Sequence, residues 1–310
     1  MDMKLNKYLI ICFFTFLNLN AQETKQFDYE LLGAVMLDEN QLISYKIQFN
    51  VEANNFIQGY SLTDLDGENE TKSYIRGYYD EKTENIKFKE SDILYTKSKF
   101  LPEEFCFISF EGTFKGDTKK KLLEGKFVGI YDDKDTCATG NIKLVGTKFV
   151  EKKVKKIYKK VKKIDKVKKI DSTVIAELKP ENFLKKFSET NIKSGEKVSV
   201  FVYSNKIDVD IWDYGIEDGD IITILQNDKP VLENFKVTRK KKRITLNLDE
   251  KENAFKIITV NSGKLKTNTT KLKLYDFRRE YEVVANLEEG KAAIINIVKL
   301  TVKTSSPKKQ

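Results

Sequence analysis

Between residues 27 and 145, apolar and polar residues alternate in short runs that are separated by clusters of Gly, Asp, Asn and Glu. The run from Ile43 to Asn50 places an isoleucine, tyrosine or phenylalanine at every second position and a polar residue between them. A period of two residues is typical of a β-strand with one buried face. Eight such strands are predicted, with centres near Leu32, Tyr45, Ile57, Tyr74, Phe88, Phe107, Phe127 and Ile142.

The connections between these strands are short enough for each strand to pair with the next in an antiparallel meander. The pattern predicts an all-β domain over residues 26–147, either an up-and-down antiparallel β-barrel of the lipocalin or calycin kind or a curled sheet. Glycines within the strands favour a barrel, because a strand bends sharply where a side chain is absent. They are Gly59, Gly77, Gly112, Gly125 and Gly129. An ordinary flat sandwich is the alternative.

Residues 151–170 follow a different period. Their apolar residues recur at spacings of three and four and are Val154, Ile157, Tyr158, Val161 and Ile164. This spacing predicts a helix with a narrow apolar stripe and lysines over the rest of its surface. A short helix is expected from Pro180 to Phe187, since proline is tolerated in a first helical turn. Residues 148–195 are therefore predicted to be a lysine-rich helical linker.

Strand patterns return between residues 196 and 303. Apolar residues alternate with polar ones in several runs, for example at Val198, Val200 and Val202, and turn residues separate these runs. This arrangement predicts a C-terminal antiparallel β-sandwich. Residues 304–310 are predicted to be a disordered tail. Apart from the linker, the whole chain is expected to be all-β.

The first residues have the features of a secretory signal peptide. Lys4 and Lys7 precede an apolar run from Tyr8 to Leu19, and the small residue Ala21 follows it. The apolar run has about twelve residues, whereas a transmembrane helix needs roughly twenty. Residues 1–21 are therefore predicted to direct Sec export and to be removed. The mature chain is expected to be secreted or periplasmic, with no transmembrane segment.

Two cysteines, Cys106 and Cys137, remain after the predicted signal peptide is removed. Cysteines of a protein in an oxidising compartment commonly pair. A structural disulfide between these two residues is therefore predicted, and two buried free thiols are the alternative.

Histidine is absent from the 310 residues of the chain. This absence excludes histidine as a general base, a metal ligand or a pH-sensitive switch. Mechanisms of the Ser/His/Asp and Cys/His types are therefore excluded. No catalytic residue is predicted, and calcium is the one cofactor that the sequence suggests, as described below.

The net charge of +9 is concentrated in one segment. Residues 151–170 contain eleven lysines and two acidic residues, so the rest of the chain is nearly neutral. A lysine-covered helix can bind anionic lipid headgroups or anionic glycans; the residues predicted for this role are Lys152, Lys155, Lys159, Lys163 and Lys166. A solvated spacer is the alternative. Nucleic acid is not expected as a partner, since the segment lacks arginine and has Tyr158 as its only aromatic residue.

Residues 208–220, DVDIWDYGIEDGD, contain the densest group of carboxylates in the chain. Calcium takes roughly six to eight oxygen ligands from tight, glycine-containing loops. Asp213, Asp218 and Asp220 are therefore predicted candidates for a calcium site, although their spacing differs from the helix–loop–helix calcium pattern. The alternative is a polar hairpin between a strand that ends near Trp212 and a strand that begins at Asp220.

The same segment, with the pattern D-x-G-x-x-D-G-D from Asp213 to Asp220 before a strand, resembles a C-terminal β module of uncharacterised secreted Bacteroidetes proteins. A later stretch with Asn261, Gly263 and Thr267 is similar to an asparagine and glycine turn of that family, but the prolines that follow it there are absent here. The resemblance covers roughly the last third of the chain. It implies export and a β fold, and it implies no catalytic residue, since the family has no assigned activity.

Two further features suggest sites. Asp171, Ser172 and Thr173 form a triplet similar to the O-glycosylation acceptor of Bacteroidetes, so Ser172 is a candidate for modification. A barrel can also enclose a small ligand, and five aromatic residues are candidates to line such a cavity; the alternative is that they are packed core, as aromatic residues on strands more often are. Here these residues are Tyr45, Phe49, Tyr74, Phe88 and Tyr131.

These observations favour an exported, non-catalytic binding or structural protein of the bacterial cell envelope, with an unknown ligand. One alternative is a carboxylate-based hydrolase acting on surface glycans, which needs two carboxylates on opposite sides of a cleft. Another is an envelope tether that binds anionic lipid or glycan through the lysine-rich segment.

Overall fold

The structure is a computed structural model. It describes residues 27–38, 41–100, 104–116, 121–132, 134–165, 170–171, 175–176, 178–185, 189–263, 267–277 and 279–300. The predicted signal peptide, the predicted tail, Lys166 and Ser172 lie outside the described residues.

Eight strands form the N-terminal region, and each pairs antiparallel with the next. The strands are β1 Tyr29–Leu37, β2 Leu42–Val51, β3 Phe56–Thr63, β4 Thr71–Asp80, β5 Asn85–Thr96, β6 Phe107–Lys115, β7 Leu122–Ile130 and β8 Thr136–Gly146. Pairing of β8 with β1 closes the ring. The closed up-and-down barrel is therefore confirmed over the open curled sheet and the flat sandwich.

Apolar side chains fill the interior of the barrel. Tyr45, Phe49 and Phe88 are each at most 2% exposed and belong to one cluster of buried residues from all eight strands. Two of the strand glycines have a clear packing role, because a β-carbon at Gly59 would collide with the carbonyl oxygen of Gln48, and one at Gly77 would collide with that of Lys87. These glycines allow neighbouring strands to approach closely.

The predicted disulfide between Cys106 and Cys137 is present, and the Cα atoms of the two residues are 6.1 Å apart. Cys106 directly precedes β6 and Cys137 lies in β8, so the bond joins two strands on either side of β7. The residues are 31 positions apart in the chain. The bond therefore closes a loop that contains β6, β7 and the start of β8.

Helical segments follow the barrel. Helix α1, Thr147–Asp165, begins directly after β8 and contacts β1, β8 and the short helix α2, Pro180–Lys185. Val154 of α1 is buried, and Val150 packs against Leu32, Leu62 and Leu65 of the barrel region. Part of the apolar side of α1 therefore lies against the barrel, whereas Ile157 and Ile164 of the predicted stripe are exposed. Among the described residues, no helix combines the length and the hydrophobicity needed to cross a membrane.

Among the described residues that follow, ten strands form a sandwich of two sheets. They are β9 Thr190–Lys193, β10 Lys197–Val202, β11 Lys206–Asp213, β12 Ile221–Gln226, β13 Lys229–Lys236, β14 Lys242–Asn247, β15 Glu252–Asn261, β16 Thr267–Asp276, β17 Arg279–Glu288 and β18 Ala292–Lys299. One sheet has the order β13-β12-β15-β18-β10, and the other has the order β14-β11-β16-β17-β9. Both sheets contribute to a single, mainly aliphatic core that includes Val200, Val209, Ile224, Phe255 and Ile295.

The sandwich is antiparallel except at two pairs. Strand β10 runs parallel to β18, and β9 runs parallel to β17. The prediction of an entirely antiparallel sandwich is corrected at these two places. The alternation of apolar and polar residues could not reveal this difference, because side chains alternate between the two faces of a strand whatever the direction of its neighbour.

Strand β5 belongs to both regions. It pairs with β4 along its whole length. On its other edge its first residues pair with β6 of the barrel, whereas its last residues, Tyr95 and Thr96, pair with Val200 and Ser199 of β10. Tyr95 is also part of the sandwich core. The barrel wall and one sheet of the sandwich are therefore continuous through hydrogen-bonded strands.

A cluster of polar and aromatic side chains reinforces this junction. The guanidinium carbon of Arg279 lies 5.0 Å from the centre of the Tyr74 ring and 4.5 Å from that of Tyr203. Nη2 of Arg279 lies 3.5 Å from Oδ2 of Asp92. Because Tyr74 and Asp92 belong to the barrel strands and Tyr203 and Arg279 to the sandwich, the cluster joins the two regions.

Candidate functional site

The lysines of α1 form an exposed cationic surface, called here the lysine face. The helix carries nine lysines, and all of them are exposed. Four of the five predicted binding residues, Lys152, Lys155, Lys159 and Lys163, lie on this face; the fifth, Lys166, is outside the described residues. Because the opposite side of the helix packs against the barrel, the lysine face points away from the rest of the protein.

Local contacts neutralise little of this charge. Glu151 and Asp165 are the two acidic residues of α1, and Glu151 forms an ion pair with Lys155 one turn along the helix. The ammonium groups of Lys153 and Lys162 lie 5.4 and 5.3 Å from the rings of Phe149 and Tyr158. Such contacts with rings leave the positive charge in place. The lysine face therefore remains strongly positive.

Two isoleucines lie beside the lysine face. Ile157 and Ile164 are 49% and 51% exposed. They are seven residues apart, which places them two turns apart on the same side of the helix. They lie between the face that contacts the barrel and the lysine face. An exposed apolar pair next to a cationic face is typical of a helix that lies on an anionic surface.

The acidic segment connects the two sheets of the sandwich. Strand β11 ends at Asp213 in one sheet, and β12 begins at Ile221 in the other. The alternative of a hairpin between these strands is therefore wrong, because the two strands are not hydrogen-bonded neighbours. Asp213 does fix the local turn, since its Oδ1 accepts a hydrogen bond of 2.7 Å from the backbone N–H of Gly215.

Two acidic residues at the start of this segment have a separate role. Asp210 accepts hydrogen bonds of 2.6 and 2.9 Å from Nε and Nη2 of Arg243, and one of 2.8 Å from the hydroxyl of Tyr275. Asp208 accepts a hydrogen bond of 2.7 Å from the hydroxyl of Thr245. The Arg243 guanidinium lowers the pKa of the Asp210 carboxyl. These contacts tie β11 to β14 and β16 on the outer face of the sheet.

Asp213, Asp218 and Asp220 lie close enough together to influence each other's ionisation. Burial, followed by repulsion from Asp218 and Asp213, raises the pKa of Asp220 to about 7. Burial also raises the pKa of Asp213. Oδ2 of Asp213 and Oδ1 of Asp220 are buried, and within the described part of the chain neither has a hydrogen-bond partner. The structure thus brings the three predicted calcium ligands into one cluster.

The side chains of this cluster are not arranged as a metal-binding site. Over the residues that the structure describes, no three cysteine, aspartate or glutamate side chains are arranged so that they could hold a metal ion. A proton can satisfy two neighbouring carboxylates in place of a cation. Calcium binding by these three residues stays a prediction.

The aromatic residues suggested for a barrel cavity occupy three different places. Tyr45, Phe49 and Phe88 are packed inside the barrel, where they fill space. Tyr74 lies on the outside, under Arg279 at the junction with the sandwich. Tyr131 is 38% exposed. These five side chains therefore do not line one cavity.

Sequence reasoning missed one polar residue inside the barrel, Glu90. Its Oε1 accepts a hydrogen bond of 2.7 Å from the Tyr45 hydroxyl, and its Oε2 accepts one of 2.8 Å from the backbone N–H of Ile108. Burial raises the pKa of this carboxyl. The sequence pattern indicates this inward position, because Glu90 continues the alternation of buried residues that begins with Ile86 and Phe88.

Comparison of the chain with protein-family models, with curated proteins and with solved structures finds no match. The resemblance of residues 213–220 to a secreted Bacteroidetes module therefore stays a prediction from the sequence motif. The function has to be inferred from the surfaces described above.

Proposed function

We propose that the protein is an exported, non-catalytic binding protein of the bacterial cell envelope that attaches to an anionic surface through the lysine face of α1. The observation that carries this proposal is that all nine lysines of one helix are exposed while the opposite side of the helix packs against the barrel. A helix fixed in this way presents its charge in one direction.

The strength of the proposed attachment follows from electrostatics. A lysine near an anionic membrane surface contributes about 1 kcal/mol to binding, within a distance set by the Debye length of about 8 Å at physiological salt. Several lysines on one rigid face can approach a flat surface at the same time. Ile157 and Ile164 add a smaller apolar contribution if the surface is a bilayer, because both are half exposed at the edge of the lysine face.

Export is part of the same proposal. The apolar run between Tyr8 and Leu19 with the preceding lysines supports a signal peptide. The disulfide between Cys106 and Cys137 supports an oxidising compartment. Phosphate groups of lipids and carboxylates of glycans are both anionic and both occur in bacterial envelopes, so the test has to distinguish them.

Sedimentation with vesicles tests the proposal. The purified protein is mixed with vesicles of phosphatidylcholine alone or with added phosphatidylglycerol, and separately with an immobilised acidic polysaccharide. The test variant replaces Lys152, Lys155, Lys159 and Lys163 by glutamine. The control variant makes the same change at four exposed lysines elsewhere, which are Lys82, Lys89, Lys126 and Lys229.

We expect the unaltered protein and the control variant to bind the anionic partner, and the α1 variant to bind on the order of a hundredfold to a thousandfold more weakly. Binding to anionic vesicles but not to the polysaccharide indicates lipid, and the reverse indicates glycan. Raising the salt concentration should weaken binding of the unaltered protein. Equal loss of binding in both variants would show that net charge alone is responsible and would refute a specific lysine face.

A further inference from the structure

A pocket of about 590 Å³ opens at one mouth of the barrel. It lies where β2, β4 and β6 begin and where β3 ends. Its polar lining comes from Ser44, Thr63, Asp64, Asn69, Thr71, Ser73 and Glu90, and its apolar lining comes mainly from Leu42, Ile43, Phe105 and Phe107. Pockets of this size are typical of small-molecule sites, and the lining of this one is mostly polar.

The ionisable side chains that line the pocket are acidic. Glu90 and Asp64 are its ionisable side chains, and none of the described residues that line it is a lysine or an arginine. Glu90 is partly buried at the wall of the pocket. A partly buried carboxylate without a cationic partner is unfavourable, and a positively charged group beside it removes much of that cost. The pocket therefore favours a cation over an anion or a neutral molecule.

The carboxyl of Glu90 is held in a fixed orientation. Its two oxygens accept hydrogen bonds from different elements, one from the Tyr45 hydroxyl and the other from the backbone N–H of Ile108. Ser61 contributes a further buried hydroxyl beside Glu90, and this hydroxyl has no hydrogen bond of good geometry within the described part of the chain. Each carboxylate oxygen can accept more than one hydrogen bond, so acceptor capacity remains for a ligand.

Hydroxyl groups around the pocket supply a second kind of contact. The Ser44 hydroxyl accepts a hydrogen bond of 2.8 Å from the backbone N–H of Leu65, which leaves its own proton for another acceptor. Ser73 and Thr63 also line the pocket. Phe105 and Phe107 line the pocket beside Cys106 of the disulfide, and both also pack against the cluster of Ile93, Phe201 and Val298.

We infer that this pocket binds a small hydroxylated organic cation of the amino-sugar class. The ammonium group of such a ligand lies at Glu90, its hydroxyl groups bond to the serine, threonine and asparagine side chains, and the apolar face of its ring packs against apolar side chains of the lining. This site is separate from the lysine face, whose charge has the opposite sign. The inference therefore goes beyond the proposed attachment to an anionic surface and does not depend on it.

Calorimetric titration of the whole protein with glucosamine tests this inference, with glucose as the matched neutral ligand. The test variant is Glu90→Gln, which keeps a hydrogen-bond acceptor for Ile108 and removes the charge. The control is Glu111→Gln, because Glu111 is an exposed barrel carboxylate that pairs with Lys87 at 2.7 Å. A melting curve of each variant establishes that it is folded.

We expect glucosamine to bind the unaltered protein and Glu111→Gln equally, and to bind Glu90→Gln about tenfold to a hundredfold more weakly. Glucose should bind the unaltered protein more weakly than glucosamine by a similar factor. Equal binding of the two sugars, no binding of either, or unchanged binding by Glu90→Gln would each overturn the inference. If Glu90→Gln does not fold, Asp64→Asn at the rim replaces it, and the comparison of the two sugars on the unaltered protein still decides.

Discussion

The barrel and the sandwich are built from similar strands but are held together in different ways. In the barrel, every strand pairs with its neighbour in the chain, aromatic and aliphatic residues fill the interior together, and a disulfide joins the residue before β6 to β8. In the sandwich, the partners of a strand are often distant in the chain, two pairs are parallel, and the core is mainly aliphatic. Local pairing therefore organises the barrel, whereas the sandwich depends on long-range contacts.

Carboxyl groups in the interior have different hydrogen-bonding surroundings in the two regions. The barrel supplies Glu90 with donors from Tyr45 and Ile108 and leaves it at the wall of a pocket. The sandwich crowds Asp213 and Asp220 together, and each keeps a buried oxygen without a partner among the described residues. The first arrangement is suited to a bound cation, and the second is suited to taking up a proton.

The largest predicted effect tests whether the two regions unfold as one unit. Phe88 is buried in the barrel and Phe255 in the sandwich, and replacing either by alanine should lower the free energy of unfolding by about 3 to 5 kcal/mol. Because β5 is shared, we expect one transition in each variant, measured by chemical denaturation with circular dichroism. Two separate transitions, each moved by only one of the substitutions, would show that the regions are independent.

Removal of the disulfide should have the next largest effect. The bond closes a loop of 31 positions, and the loss of that constraint should reduce the free energy of unfolding by about 3 to 4 kcal/mol in the chain-entropy description. The measurement compares the unaltered protein with the double substitution of Cys106 and Cys137 by serine. A reductant should destabilise the unaltered protein to a similar extent and leave the double variant unchanged. A reductant effect in the double variant would contradict this expectation.

A smaller effect is expected at the junction. Arg279 packs between the rings of Tyr74 and Tyr203 and lies near Asp92, and Arg279→Ala should cost about 1 to 2 kcal/mol through the lost cation–ring contacts. Arg76→Ala is the control, because Arg76 is exposed on the same barrel strand as Tyr74. Equal destabilisation by the two substitutions would mean that Arg279 does not join the regions.

The smallest effect concerns pH. The folded pKa of Asp220, about 7, lies above that of an unfolded aspartate, so the folded protein binds more protons between the two values. The contribution of Asp220 therefore stabilises the fold as pH falls from about 8 to about 5. Asp220→Asn should be more stable than the unaltered protein at the higher pH, and this advantage should shrink towards the lower pH.

Asp210 provides a control for which stability should depend on pH in the opposite direction. Arg243 lowers its pKa, so Asp210 contributes stability at neutral pH that is lost as the pH falls through its folded pKa. Asp210→Asn should therefore be less stable than the unaltered protein at neutral pH. Denaturation at several pH values measures both variants.

If calcium binds Asp213, Asp218 and Asp220, saturating calcium displaces the proton and removes the pH dependence that Asp220 causes. An unchanged pH dependence would argue against a calcium site.

Much of this structure can be predicted from the sequence where pairing is local. The alternation around Tyr45 and Phe88 predicts strands and their inward faces, and short connections predict the meander. Strand β13 could not be predicted in this way. Its sequence, KPVLENFK, contains a proline, and because the strand is mostly exposed its apolar and polar residues do not alternate. Strand β9 is only four residues long and lay within the predicted linker.

The candidate sites also differ in whether their residues are close together in the sequence. The lysine face is visible in the sequence because its residues are consecutive on one helix. The barrel pocket is not, because Ser44, Asp64, Glu90 and Phe107 come from four parts of the chain and meet only when the barrel closes. Arg279 shows no pattern at all, since its role depends on contacts with Tyr74 and Asp92 of the barrel.

The sharing of β5 has a consequence for how the chain can be divided. A shortened protein that ends before β10 would leave Tyr95 and Thr96 with free backbone groups at an open strand edge. It would also uncover the rings of Tyr74 and Tyr60, which pack against the sandwich core. Open edges and apolar patches of this kind promote association between molecules. The barrel and the sandwich are therefore poor modules for separate expression or for exchange between proteins.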